Sequence, residues 1–405
     1  MPLNRIDYTQ YINYLIIGYA FVLPLSRAGI VLFSLLLFLG WCLEGKWEKK
    51  IRLLKKSKVL IALSLFLLFN CLSLLWSDTF VQACQYVTKY WYFLPLIVIF
   101  TSIKQEMLSK VLSAFILGMF VSEVLAYGVF FQWWHINRAT VANPTPFMHH
   151  IEYSVFLAFT ALLLLARIFY TKEKRKRILY AIFFTTISGN LFLTAGRTGQ
   201  LAFLLGLFVV TWLHIKNRFK ASIVFIGLVS LLFSSAYYFS QTFHHRIDLA
   251  KTNCEKILLK GNYCTSWGAR AGAWVVSKEM IKDNILLGEG LEDNMVRYRS
   301  LIDTEFTDMK CIKGLQHMHN QYLQILTQTG MIGLFLFLMI FYYIARLQIQ
   351  DKEYQTIQYV YLSVILFAGI SEVILHRQFS MALFALIVGL LLAQERIENE
   401  ISISE

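Results

Sequence analysis

Charge is scarce in this chain. Only 16% of its 405 residues are charged, while 57% are hydrophobic. A soluble protein of this length would carry about a quarter charged residues and could not hide so much apolar surface. Strict apolar/polar alternation is missing too, which excludes the strands of a transmembrane barrel. The chain has no repeats and no low-complexity tracts. Its opening, "MPLNRIDYTQ", runs into an apolar stretch without a small-residue cleavage site. It reads as a retained first helix, not a cleaved signal peptide. His, Cys and carboxylates also fail to occur at zinc-like spacing in sequence.

What is present is a series of apolar runs, many with the ~20 residues needed to cross a bilayer. The expected fold is an all-α polytopic membrane protein with about 12 transmembrane helices. They centre on residues 11–26, 28–43, 59–76, 86–100, 111–131, 151–170, 178–195, 198–215, 221–239, 321–345, 357–375 and 380–395. The net charge of +13 sits mainly in "EGKWEKKIRLLKKSK" (Glu44–Lys58), "TKEKRKR" (Thr171–Arg177) and "KNRFK" (Lys216–Lys220). Each is a short link between apolar runs. Short Lys/Arg-rich loops stay cytoplasmic, so both termini are expected inside. The same loops suit anionic membrane lipids as partners. No folded soluble module surrounds them, so nucleic acid is not an expected partner.

This topology divides the chain into residues 1–239 with nine helices, an external loop at 240–320, and residues 321–405 with three helices and a cytoplasmic tail. The loop carries eleven Lys/Arg and ten Asp/Glu, unlike the basic inner loops. Trp267, Trp274, Val275 and Ile281 recur at roughly helical spacing, which predicts helices lying against the membrane surface. A second external stretch, "QWWHINRATVANPTPFMHHIEYS" (Gln132–Ser154), mixes aromatics, prolines and histidines. Cys42, Cys71 and Cys84 read as small core residues. Should the loop face an oxidising compartment, Cys254 and Cys264 can pair, leaving Cys311 single.

Three polar clusters break the apolar pattern. In "TAGRTGQ" (Thr194–Gln200), Arg197 sits at a tight outer turn near Gly196 and Gly199. It reads either as an arginine snorkelling to the interface or as an anion ligand. In the second reading the small residues let a bulky phosphate approach. Arg270, in "SWGARAGAW", is a surface charge or a second such ligand, and by composition Arg246, Arg297 and Arg299 are equally eligible. In "HMHN" (His317–Asn320), Asn320 is a good N-cap for the following helix. His317 and His319 would point apart on a helix and share a face only on an extended stretch. Metal binding is not expected there. A neutral imidazole is the default base for a hydroxyl. Glu372, inside a predicted span, is costly unless paired, and a structural pairing with Arg377 is expected before a catalytic role. His149 and His150 either line an acceptor entrance or sit at headgroup level. Arg138 faces the same choice.

Taken together, "GRTG" at a short outer turn, a long loop with "R…W…NILLGEG", and "HMHNQYLQILTQTGMIGL" resemble the O-antigen ligase/polymerase superfamily over roughly Asn190–Leu334. Chain length and loop size look most like its lipopolysaccharide O-antigen ligases. The resemblance implies a GT-C-like helical fold in the bacterial inner membrane and a metal-independent, inverting glycosyltransferase without cofactor. Its donor would be an undecaprenyl-pyrophosphate-linked glycan and its acceptor a sugar hydroxyl of lipid A–core, on the periplasmic side. No obligate protein partner is implied. Carried over, His319 would be the catalytic base and Arg197 and Arg270 the donor diphosphate ligands. His317 and Asn320 would be secondary. No Asp-x-Asp metal motif occurs in the outer loops, in keeping with arginine-based catalysis. The alternatives are an O-antigen polymerase, then a protein O-oligosaccharyltransferase, then a transporter of lipid-linked sugars. A transporter would place its ionisable groups near the midplane, whereas these clusters crowd one surface.

Overall fold

Runs of Leu, Ile and Phe make the helices, and a few Ser, Asp, Asn and Thr end them. Asp7, Ser26, Ser57, Thr265, Asn320 and Asp351 each cap a helix by accepting a backbone N–H in its first turn. The computed structural model describes residues 7–136, 139–239 and 241–404. Arg138 lies outside the described residues.

Among the described residues, seventeen α-helices follow in order. The first seven are α1 (Tyr8–Val22), α2 (Arg27–Glu44), α3 (Trp47–Lys56), α4 (Lys58–Leu72), α5 (Phe80–Thr88), α6 (Leu94–Ser102) and α7 (Gln105–Phe130). Next come α8 (His150–Tyr170), α9 (Lys174–Leu193), α10 (Arg197–His214) and α11 (Arg218–Phe239). The loop region holds α12 (Gln241–Lys260), α13 (Ser266–Asp283) and α14 (Asp293–Thr304). The chain ends with α15 (Gln321–Ala345), α16 (Lys352–Ser371) and α17 (Gln378–Ser404). Among the described residues there is no strand, only one isolated bridge between Thr140 and Asn143.

Every one of the twelve expected spans overlaps a helix, but the fourth is broken. Residues 80–102 form α5, a 3-10 turn at Lys89–Phe93, and α6, where Pro95 fits the first turn. By length and composition, seven helical stretches are fit to cross a bilayer: 27–44, 58–76, 105–130, 150–170, 218–235, 321–345 and 378–402. The chain is thus a nearly all-helical, multi-pass membrane protein, and a count of twelve does not follow from these criteria.

Helices α8 and α17 are buried almost all round, with α8 against α9, α10 and α16, and α17 against α6. By contrast α2 and α11 present Leu35, Leu39, Ile226 and Leu231 outward, the pattern expected of a lipid-facing helix. The residues of the 240–320 segment do not only lie on a surface. Val276, Met280, Met295, Tyr298, Ile312 and Met318 close a small core of their own. Two glycine-bearing motifs then fasten this unit to the bundle. Gly330 interrupts α15 with a φ of 63°, and a Cβ there would meet the Leu286 carbonyl oxygen at 2.2 Å. Beside the kink, "NILLGEG" zips onto α15: Met331 N–H donates to the Ile285 carbonyl, and Glu289 N–H to that of Thr327.

The disulfide differs from the sequence expectation. Cys264 pairs with Cys311, and Cys254 is free. Cys254 lies within the long helix α12, which carries it away from the connecting segments. Cys264 and Cys311 lie just outside α13 and in the 3-10 turn after α14, with Cα atoms 5.6 Å apart.

Candidate functional site

The site forms where the N-terminal ends of α8, α10, α13 and α15 meet the C-terminal end of α16. "HMHN" is not helical. Met318 is fully buried in the small core, with its N–H held by Gln324 Oε1 at 2.9 Å. His319 takes a left-handed φ of 49°. With Met318 pinned inward, both imidazoles emerge on the same side, ring centroids 4.3 Å apart. Asn320 then caps α15 as its residue type predicts, its Oδ1 accepting from Tyr322 and Leu323 N–H at 2.9 and 3.0 Å.

Between the imidazoles sits the fully buried carboxylate of Glu372, which follows the last residue of α16. Its Oε2 lies 3.2 Å from His319 Nδ1, and its Oε1 3.2 Å from His317 Nε2. Arg377 Nη2 reaches Oε1 at 3.4 Å, so the expected pairing with Arg377 is present. Arg270 Nη2 lies 3.9 Å from Oε2. The carboxylate does more than pair with one arginine. It gathers both histidines and two arginines. Its loop is held in place by the Leu375 N–H bond to Gln321 Oε1 and by His376 stacked on Tyr86 at 3.6 Å.

These bonds fix the tautomers. His317 Nδ1 accepts from the backbone N–H of His319 at 3.2 Å, so in the neutral ring the proton sits on Nε2, the nitrogen that faces Glu372. His319 Nδ1 donates to Glu372, which leaves Nε2 with a lone pair. Burial would raise Glu372, but the His319 bond and the nearby His and Arg charges outweigh it and bring it down to about 2. Burial pushes His317 down to about 4, only partly offset by Glu372. Glu372 is therefore ionised and His317 neutral near pH 7.

Both predicted arginines line one cavity of about 560 Å³, together with His150, Trp267, Trp274 and Ser371. Arg197 is the first residue of α10 and its guanidinium lies 5.7 Å from the Trp267 ring centroid. Arg270, on α13, donates to the carbonyls of Ser266 and Ser371 at 3.0 and 3.4 Å. His319 is not in the wall of that cavity; Arg270, which touches Glu372, joins the two compartments. His150 lines the cavity, while His149 immediately precedes α8 beside it, rings 4.0 Å apart. Arg297 is occupied elsewhere by Asp283 at 2.7 Å.

Gly196 and Gly199 have a different role from the one their spacing suggests. A Cβ on Gly196 would fall 2.2 Å from Ser154 Oγ, and one on Gly199 2.1 Å from the Ser154 carbonyl. They let α10 close on α8, with Gly199 N–H donating to Ser154 Oγ at 3.1 Å. The glycines position Arg197 by helix packing and do not make room for an anion.

The ligand atoms of His317, His319 and Glu372 lie within 4.8 Å of one another, a spacing that can hold a metal ion. The third member stands out in the sequence as an ionisable residue in an apolar run, but lying 53 residues from His319 it carries no sign there of which groups it meets. Charge argues against a cation, since Arg377 and Arg270 already exceed the single carboxylate. The site is better matched to an anion.

Residues 181–338 match the family model described as O-antigen ligase. The chain carries an O-antigen ligase family domain. Among curated proteins none matches the chain. The O-antigen ligase match contains Arg197, Arg270, His317 and His319; Glu372 and Arg377 complete the site from beyond it. A domain of this O-antigen ligase/polymerase superfamily supports glycosyl transfer of the ligase or polymerase type, between lipid-linked partners in a membrane. Sequence reasoning missed the tie between Glu372 and the histidines. Its signal was available: an ionisable residue at the end of an apolar run marks a partner or a cavity.

Proposed function

We propose that this chain is an O-antigen ligase that transfers a glycan from undecaprenyl pyrophosphate to a sugar hydroxyl of lipid A–core. The observation that carries this reading is His319 held by Glu372 through Nδ1, beside an arginine cavity suited to a diphosphate. In the reaction, His319 Nε2 takes the proton of the acceptor hydroxyl. The hydroxyl oxygen bonds to the anomeric carbon from the face opposite the leaving group. The bond from that carbon to the pyrophosphate oxygen breaks, its electron pair leaves with the pyrophosphate, and the configuration inverts. Arg197 and Arg270 stabilise the growing negative charge, the role for which paired guanidiniums are best shaped. Glu372 orients the imidazole and stabilises its protonated form, and no metal is needed. The apolar walls of Trp267 and Trp274 suit a lipid-borne donor at the membrane surface. The site would then face the periplasm, with both termini cytoplasmic, in a bacterial inner membrane.

Lipopolysaccharide banding in a ligase-null cell complemented with this chain tests the reading. The wild type is expected to restore the banding, and His319→Ala to abolish it with the protein still in the membrane. Restored banding by the variant would remove His319 as base. If the null cell accumulates single repeats instead of free lipid-linked polymer, the activity is that of a polymerase.

A further inference from the structure

At the end of the bundle opposite the histidines, five basic side chains converge on a second cavity, of about 320 Å³. Lys46, Lys49, Lys50, Lys104 and Arg396 line it, against two carboxylates, Glu44 and Glu400. Eighteen residues of α17 separate Gln378 from Arg396, about 27 Å at the helical rise, close to a bilayer's apolar thickness. The two cavities therefore address opposite membrane surfaces.

The basic groups are held in place. Lys50 is buried, bonded to the Trp41 carbonyl at 2.6 Å and to Glu44 at 2.9 Å, and lies over the Trp41 ring. Arg396 is pinned by the carbonyls of Thr101 and Ile103 at 3.1 and 2.6 Å. Glu44 is consumed by Lys50, Lys46 and the hydroxyls of Thr9 and Ser102. Lys49 meets Glu400 at 3.3 Å and Lys104 meets Asp7 at 3.8 Å, both pairs solvent-exposed and hence weak. A surplus of positive charge is left facing the cavity. Helices α3 and α7 add to it: their N-caps are Lys46 and Lys104, neither has a side-chain cap, and their free N–H groups favour an anion.

The surroundings say what carries the anion. Helix α3, "WEKKIRLLKK", is basic and amphipathic, with Trp47 and Ile51 exposed, the composition of a helix lying in a membrane interface. From the cavity the exposed Leu43, Leu39 and Leu35 of α2 form an apolar track along the bundle. We propose that this cavity binds the phosphate headgroup of an anionic lipid, whose acyl chains lie along α2. Such a lipid would fasten α1, α2, α6 and α17 together at the membrane surface opposite the transfer site.

The test uses the full chain, purified and delipidated, then offered phosphatidylglycerol or phosphatidylcholine and read by native mass spectrometry. The wild type is expected to retain phosphatidylglycerol preferentially. Lys46→Glu/Lys49→Glu/Lys104→Glu, all at well-exposed side chains, is expected to lose that retention by roughly a hundredfold. The control Lys174→Glu/Arg175→Glu/Lys176→Glu, in the basic first turn of α9, is expected to keep it. Equal retention of both lipids by the wild type, or equal loss in the control, overturns the proposal. Displacement of the adduct by glycerol 3-phosphate overturns the lipid assignment, giving the pocket to a soluble phosphate. If the triple variant does not fold, Lys104→Gln alone must still weaken retention, and unchanged retention overturns the site.

Discussion

Glu372 and Glu44 are the same device built twice, at opposite ends of the bundle. Each is a buried carboxylate ringed by cationic groups. Around Glu44 the partners are lysines and hydroxyls, and two of them, Lys46 and Lys50, are within six residues in sequence. Around Glu372 the partners include two imidazoles, gathered from Arg270 to Arg377. Lysines stay charged at neutral pH, so the first arrangement can only hold an anion. A neutral imidazole can accept a proton from a hydroxyl, so the second can do chemistry. The difference lies in the partners, not in the carboxylate.

Removing the charge of each carboxylate gives the largest contrast. Glu372→Gln is expected to cut glycan transfer by roughly 10²- to 10³-fold with the protein still folded, because the imidazole loses the negative charge that stabilises its protonated form. Glu372→Asp should recover part of the rate and shift its pH profile. Glu44→Gln should mainly lower Tm and the yield of folded protein. A comparable loss of turnover per folded molecule in both would break the comparison.

The disulfide sharpens it next. Cys264 and Cys311 stand 47 residues apart and tie the start of α13, which bears Arg270, to the segment before His317. Cys264→Ser is expected to cost about 2–4 kcal/mol. Hydrogen exchange should rise in α13 and α14 but not at the Glu44 end, and Cys254→Ser should do neither. Gly199→Ala follows, at about 1–3 kcal/mol, since its methyl group must push α10 off the Ser154 backbone. Transfer should fall with it as Arg197 shifts, and a thermal melt beside a transfer assay checks both.

Acid should separate the ends by the smallest margin. His317 titrates at about 4 in the fold against an ordinary 6.5, so the unfolded chain binds the extra proton between those values. Stability is therefore full above pH 6.5 and falls as pH drops towards 4. Glu372, at about 2 against an ordinary 4.5, adds a further loss between pH 4.5 and 2. Tm measured from pH 7.5 to 4.5 should decline below 6.5, and His317→Gln should flatten that decline. A decline that His317→Gln leaves unchanged would assign it elsewhere.

Much of the fold is legible in the sequence. The low charge and long apolar runs gave the helical membrane class, and every drawn span meets a helix. Asn320 could be read as a cap because capping needs only neighbours two and three residues on. The broken span at 80–102 could not, since a 3-10 turn leaves the apolar pattern unchanged. Cys311 was the wrong residue to leave single, because loop pairing depends on where α12 ends. The spacing of Gly196 and Gly199 suggests open space, whereas what they touch, Ser154, lies more than 40 residues away.

By itself, then, the sequence determined the membrane, the helices and which side chains are candidates for chemistry, since hydropathy and side-chain chemistry are local properties. Tertiary structure alone decided that His319 has a carboxylate behind it. A buried imidazole–carboxylate bond requires two backbone segments 53 residues apart to stop within 3.2 Å of side-chain reach. Only the packing of α15 against α16 and the turn after α16 put them there.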